Sequence, residues 1–241
     1  VVRHYDHLWT PIAFRLRYRD TEKDRLVEDL ADGHLQVIAP DRLALRVDKL
    51  SETYFYMGSD AAQYWWVDVK GSAAVVGRHD TVTEELIEEL GIPVHPLELV
   101  ELLGVVGMDP QGYGTTKWSA DGRRLGIVTR GRFGNTLVWV DPVSYAPTSV
   151  EVTDSTGRTT LKSELTRPRR IRQDDAADLR VEIATQVVVD FADGETRLTI
   201  RMEDPENRRT RVREAAFQLD SVLNAYRVRD VEDLDAMPGS E

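Results

Sequence analysis

The chain has 241 residues, a net charge of −11 and no cysteine. Its length suits one large β domain or two small ones, and can bury a core without covalent staples. The lack of cysteine excludes disulfides, a Cys-ligated zinc site and a thiol nucleophile. The negative charge speaks against a general nucleic-acid binder, whose surface must neutralise phosphates. The cations are mostly arginine, 26 Arg to 5 Lys, which reads as base-composition bias in the genome. No apolar run approaches ~18 residues, so no membrane-crossing helix is expected. No signal peptide is visible, and the chain opens at Val1, which leaves room for a trimmed leader or a lipid anchor ahead of it.

Alternation of apolar and polar residues predicts strands for most of the chain. Phe14, Leu16 and Tyr18 alternate with Arg15, Arg17 and Arg19. Asp32-Gly33 reads as a turn, followed by a strand from Leu35 to Ala39 that Pro40-Asp41 breaks. Leu43, Leu45 and Val47 share a face, and aromatic strands follow over Thr53–Met57 and Gln63–Val69, then a third near Ala73–Val76. The period then changes. Thr81 with Glu84 three residues on resembles a capping box, with Leu86, Ile87 and Leu90 on one helical face and Gly91 as the stop. Pro96 starts a second helix carrying Leu97, Val100, Leu103 and Val106 at helical spacing, and a glycine-rich stretch runs from Gly107 to Gly114.

Strands resume at Leu125–Thr129, Leu137–Val140 and Thr148–Thr153, where Val150 and Val152 oppose Glu151. Asp154–Gly157 makes a hairpin turn into Thr159–Leu165. A long strand from Val181 to Phe191 places Val181, Ile183, Val187 and Val189 on one face with Thr185. Asp193-Gly194 is a strong hairpin signal, and Leu198, Ile200 and Met202 alternate in the partner strand. A last strand is expected over Arg211–Phe217, and the acidic tail from Arg229 is expected to fray, as are residues 1–10.

The expectation is about twelve strands and two short helices in a single domain, since no linker divides the chain and no repeat is present. Strands apolar on one face indicate an antiparallel sheet with one buried side. A sheet of so many strands is expected to curl, with the helices over part of its concave face. Periodicity leaves open whether that face holds a packed core or a cavity.

Several local patterns together resemble the LolA/LolB-type family of bacterial lipoprotein carriers. They are Gly33–Pro40 followed by Leu43; Gly58-Ser59-Asp60 before Tyr64-Trp65-Trp66; the pair of helices inserted mid-sheet; Val138-Trp139-Val140-Asp141-Pro142 with Pro147 and the turn at Asp154–Gly157; and the closing strands that end at Phe217. The resemblance spans residues 10 to 220, and order and spacing carry it more than any single motif. It implies an incomplete, half-open antiparallel barrel with helices on its concave face. It implies binding or transport of a lipid, a lipoprotein acyl chain or another apolar ligand in the bacterial periplasm or cell envelope, without catalysis. The partners implied are an acyl chain or lipid-modified protein, with no nucleic acid and no cofactor. The alternative is an envelope sensor or scaffold module that binds another protein through the same fold, and a hydrolase ranks below both. Two departures stand out. The family's soluble carrier has an Arg before the strand-ending Pro that helps to latch a helical lid, and Ala39 stands there here. The family's N-terminal helix is not evident before Phe14.

The expected lining of an apolar site is Leu45, Val47, Trp65, Val67, Val150, Val152, Leu198 and Ile200, with Leu97 and Val100 above them. Each has a plainer reading. Aromatic residues such as Tyr54, Phe55, Tyr56, Tyr64, Trp65 and Trp66 favour strands anyway and more often pack a core than line a pocket. The helix faces form a movable lid or a fixed plug, and Ala39 tips the reading towards the plug. The basic run Arg167, Arg169, Arg170 and Arg172 either meets anionic headgroups or, as short charge runs usually do, forms a solvated loop. Among His4, His7, His34, His79 and His95 no pair has i, i+4 metal spacing; His4 and His7, at i, i+3, sit near the terminus. No nucleophile elbow, P-loop or dinucleotide fingerprint is present, and carboxylate pairs such as Glu84-Glu85 mean little among 42 acidic residues.

Overall fold

The computed structural model describes residues 7–20, 23–83, 86, 94–105, 114–131, 134–173 and 182–236, with the backbone alone at 172–173. Most of the expected helix between Thr81 and Gly91, most of the glycine-rich stretch from Gly107, Val106 and Val181 lie outside the described residues.

The described strands are β1 (His7–Asp20), β2 (Arg25–Ile38), β3 (Arg42–Lys49), β4 (Glu52–Ser59), β5 (Gln63–Asp68), β6 (Ala73–Arg78), β7 (Thr116–Trp118), β8 (Leu125–Arg130), β9 (Asn135–Val140), β10 (Pro147–Thr153), β11 (Thr159–Arg170), β12 (Arg172–Gln173), β13 (Glu182–Phe191), β14 (Arg197–Met202), β15 (Glu206–Asn207) and β16 (Asp230–Asp233). Two α-helices accompany them, α1 (Pro96–Leu102) and α2 (Leu219–Tyr226). All sixteen strands join one sheet, in the order β16-β6-β5-β4-β3-β2-β1-β14-β13-β11-β10-β9-β8-β7, with β15 pairing β1 and β12 beside that path.

The mainly-β expectation with few short helices holds, but the half-open barrel does not. The sheet is open and runs from β16 to β7, two end strands that do not pair with each other. It is also not wholly antiparallel, because β16 runs parallel to β6 and β12 parallel to β15. The physical reason lies in β3–β6. Ala44, Tyr56, Trp65, Val67, Ala74 and Val76 are buried on one face, while Leu45, Val47, Met57 and Trp66 are buried on the other. A sheet end apolar on both faces is satisfied by a cover on each side and has no need to close on itself. One cover is α1, which touches β3, β4 and β10. The other is the chain after β15, where a strand over Arg211–Phe217 and a frayed tail from Arg229 were expected and α2 lies between them.

That carboxy-terminal cover is built from short helical turns. Arg209–Arg211 and Glu214–Phe217 are 3-10 turns where a strand over Arg211–Phe217 was expected. Leu219, Val222, Leu223 and Tyr226 follow at i, i+3, i+4 and i+7, the spacing of one helical face, and they pack with Phe217 on the sheet. Arg227 caps α2 in the left-handed conformation, with φ of 54°. The chain then adds β16 to the sheet edge, and Asp235 accepts hydrogen bonds from the Arg78 backbone at 3.1 Å and from the Thr81 hydroxyl.

Asp32-Gly33 is not a turn. It lies inside β2, opposite Asp48 and Val47 of β3. Gly33 is required by closeness: a Cβ there would sit 1.9 Å from the Arg46 carbonyl oxygen. The true β1–β2 turn lies between Asp20 and Arg25, where Asp20 accepts from the Lys23 backbone N–H at 3.1 Å. The Asp154–Gly157 and Asp193-Gly194 turns form between the strands expected. In the first, the Thr156 hydroxyl and the Arg158 and Thr156 backbone N–H groups hold the Asp154 carboxyl below the usual carboxylate range.

Candidate ligand-binding site

The apolar face beneath α1 is the site that the aliphatic residues build. α1 forms because Pro96 fills its first position, where a missing N–H costs nothing. His95 caps it. Its Nδ1 accepts from the Leu97 N–H at 3.1 Å, and Glu98 accepts from the His95 N–H at 3.2 Å, a reciprocal capping box. Gly104, with φ of +74°, ends the helical segment in the left-handed region where glycine is favoured.

The helix is pinned at both ends. At its start, His95 is fully buried and stands edge-on to Tyr64 of β5 at 4.6 Å between ring centres, with His79 at 5.5 Å. Tyr64 in turn meets Trp66 at 4.9 Å. On its last turn, the Thr136 hydroxyl of β9 donates to the Glu101 carboxylate at 2.7 Å. Leu99, Val100 and Leu102 point into the main core. These contacts pack the helix against the sheet at both of its ends.

Of the residues expected to line the site, Leu45, Val47, Val100, Val150, Val152, Leu198 and Ile200 come together in this one cluster. Trp65 and Val67 do not join them. The register pairs Leu45 with Met57 and Met57 with Trp66, so Trp66 shares the face of Leu45, while Trp65 pairs with Gly58 on the opposite face. Leu97 is half-buried on α1. The Arg167–Arg170 segment is the exposed end of β11, with Arg167 at a φ of 56°.

The opening to this face lies where α1 ends. A cleft of about 240 Å³ is walled by Leu103, Gly104, Pro147, Leu165, Ile183 and Ala184, and rimmed by Asp141, Ser144 and Glu182. The Asp141 carboxyl is kept below its usual range by bonds from the Ser144 backbone, the Ser144 hydroxyl and the Val143 backbone, so the rim carries negative charge near neutral pH. Sequence reasoning missed these walls. The one available signal was Gly104 as a helix stop, and its role at an opening depends on Leu165, whose Cδ1 would lie 2.8 Å from a Cβ at that position. Among the described residues no three His, Asp or Glu side chains form a metal-ligating group, and no helix is long and apolar enough to cross a membrane.

No family model matches the chain, and no curated protein matches it in sequence. Solved structures do match. A LolA superfamily protein from Nitrosomonas europaea aligns with a TM-score of 0.55 at 14% identity, over 90% of this chain and 91% of that one. The fold is similar to that of the LolA superfamily. A DUF1329 family protein from Desulfovibrio piger gives a TM-score of 0.58 at 11% identity, over 90% of this chain and 91% of its own. A domain ascribed to outer-membrane lipoprotein sorting from Vibrio parahaemolyticus gives 0.53 at 12%, over 92% of each. At such identities the LolA-type likeness is one of fold, and it runs through nearly the whole chain.

Proposed function

We propose that the protein binds an apolar chain, the acyl chain of a lipid or of a lipid-modified protein, and does no chemistry on it. The bacterial envelope is the compartment this reading implies. The observation that carries it is the apolar cleft at the end of α1, whose walls Leu103, Leu165 and Ile183 belong to the aliphatic cluster of the sheet. The likeness to LolA-type folds supports the same reading.

Magnitudes shape the proposal. At about 240 Å³ the cleft is smaller than the roughly 300–1,000 Å³ of most small-molecule sites, so it takes the end of a chain and not a whole lipid. Each buried methylene gains ~0.8 kcal/mol, so about ten are needed to approach the ~8 kcal/mol of a micromolar site. Bringing in more chain than the cleft holds requires the last turn of α1 to yield around Gly104.

Native mass spectrometry of the gently purified protein, beside organic extracts of it, tests this. Stoichiometric fatty acid, phospholipid or lipopeptide is the expected result, with affinity rising about fourfold per added methylene across a fatty-acid series. A bare mass with no uptake of added fatty acid would remove the proposal.

One observation favours the second reading, a protein-binding module. The outer edge of β7 has no strand partner among the described residues, and Trp118 on it is largely exposed. An unpaired edge is a template for strand addition.

A further inference from the structure

A second cavity, larger than the cleft at α1, is on the other face of the sheet. It measures about 470 Å³ and lies between β1–β4 and the segment from Thr210 to Tyr226, within the usual range of small-molecule sites. Small residues make the space: Ala44 on the sheet, with Ala216 and Ala225 opposite. Aromatic rings make its walls, Trp9 from β1, Tyr56 from β4 and Tyr226 from α2. Tyr56 and Tyr226 lie 5.6 Å apart, and the Tyr56 hydroxyl is held by the Ala216 carbonyl at 2.6 Å.

The charge is one-sided. Arg46, Arg211 and Arg213 line the cavity, and no carboxylate does, in a chain of net charge −11. Two of these cations are fixed from behind. Arg46 is anchored by Asp48 at 3.0 Å and reaches His34 Nδ1 at 2.9 Å. Arg211 is held by Glu206 at 3.1 Å and lies over the Trp9 ring at 4.3 Å. Arg213 makes no ion pair among the described residues, while its backbone N–H donates to Gln36 at 2.9 Å and sets its place. A guanidinium only donates, so His34 Nδ1 accepts from Arg46 and the ring proton sits on Nε2. Burial, then the Arg46 charge, lowers the His34 pKa and disfavours the charged ring. Preset cations beside aromatic walls, with no carboxylate in the lining and Arg213 outside any ion pair among the described residues, suit an anion carrying a flat apolar body.

We propose that this cavity is a binding site for a small aromatic carboxylate, with Arg213 as the cation that meets the carboxylate and Trp9, Tyr56 and Tyr226 enclosing the ring. The site is separate from the α1 cleft and does not depend on the acyl-chain reading.

Indole-3-acetate is the probe, titrated calorimetrically into the full chain at low salt, with indole as its uncharged counterpart. One site is expected, with indole at least about tenfold weaker, the usual effect of losing a hydrogen bond to a charged partner. Arg213→Ala should weaken indole-3-acetate by about tenfold. Ala225→Trp, which grows a ring into the cavity from the exposed side of α2, should abolish binding while the circular dichroism spectrum stays unchanged. No binding of indole-3-acetate at millimolar concentration, equal affinity for indole, or full binding by a folded Ala225→Trp variant would each overturn the proposal. Should Ala225→Trp not fold, the indole comparison and the Arg213→Ala variant decide alone.

Discussion

The two faces of this sheet are built on opposite plans. The face beneath α1 is aliphatic from β3 across to β10, and its cover is a seven-residue helix. The other face has its buried apolar cluster mainly over β3–β6, where the carboxy-terminal segment covers it, and towards β1 and β14 it turns to arginine: Arg15, Arg17, Arg197 and Arg201 surround a groove there. The first face has narrow apolar access, and the second has a wide, cation-lined cavity. One sheet thus separates shielding from water, which needs continuous apolar area, from selection by charge, which needs fixed donors.

The largest way to break this comparison is at the indole of Trp65. It is fully buried on the second face, against Gly58. If the carboxy-terminal cover makes a true second core, Trp65→Ala should cost about 3–5 kcal/mol in denaturant unfolding. A loss below ~1 kcal/mol would mean that this cover adds little to stability. On the first face, Leu102→Ala should cost about 2–5 kcal/mol by the same measurement, because Leu102 on α1 is fully buried in the main core. Gly33→Ala probes the strand pair between the faces. Its new Cβ would meet backbone, not a yielding side chain, and a loss of about 1–3 kcal/mol is expected.

Smaller effects sharpen the picture. Replacing His95 by Ala removes the cap of α1 and should cost about 1 kcal/mol through the cap alone. His95→Asn keeps an acceptor at that position and should recover part of it. His34 gives a pH signature. Burial and the Arg46 charge lower its pKa in the folded chain, while the unfolded value is about 6.5. Below that pH the unfolded chain takes up a proton that the folded one refuses. Stability therefore falls as pH drops from the unfolded value to the folded one, and is full above it. His34→Gln should flatten that part of the stability–pH curve, and an unchanged curve would contradict the assigned environment.

The alternation that predicts β1, β13 and β14 is legible because each shows one wet face, as in Leu198, Ile200 and Met202 against Arg197, Thr199 and Arg201. It misleads where both faces are dry. Trp65 and Trp66 are adjacent and both buried, so sequence cannot choose which one joins Leu45, and only the register through Met57 does. Gly33 carries a turn signature beside Asp32, yet its reason is the Arg46 carbonyl on another strand. The α2 face was present as Leu219, Val222, Leu223 and Tyr226, although an expected strand over Arg211–Phe217 obscured it. The parallel pairing of β16 with β6 joins Asp230 to Ala73, a contact across most of the chain that no local pattern announces. The open form of the sheet follows from these distant covers, which is why a curled half-barrel was the natural but mistaken expectation.

The central claim is that the two faces bind different chemistry, and a crossed titration tests it most directly. Ala184→Trp narrows the cleft at α1, and Ala225→Trp fills the cavity on the other face. Each variant, once shown to be folded, is titrated with the fluorescent fatty acid cis-parinaric acid. The account predicts that Ala184→Trp loses uptake while Ala225→Trp keeps it at the level of the unmodified chain. Uptake lost in Ala225→Trp and retained in Ala184→Trp would place the acyl chain on the arginine-lined face and contradict the account.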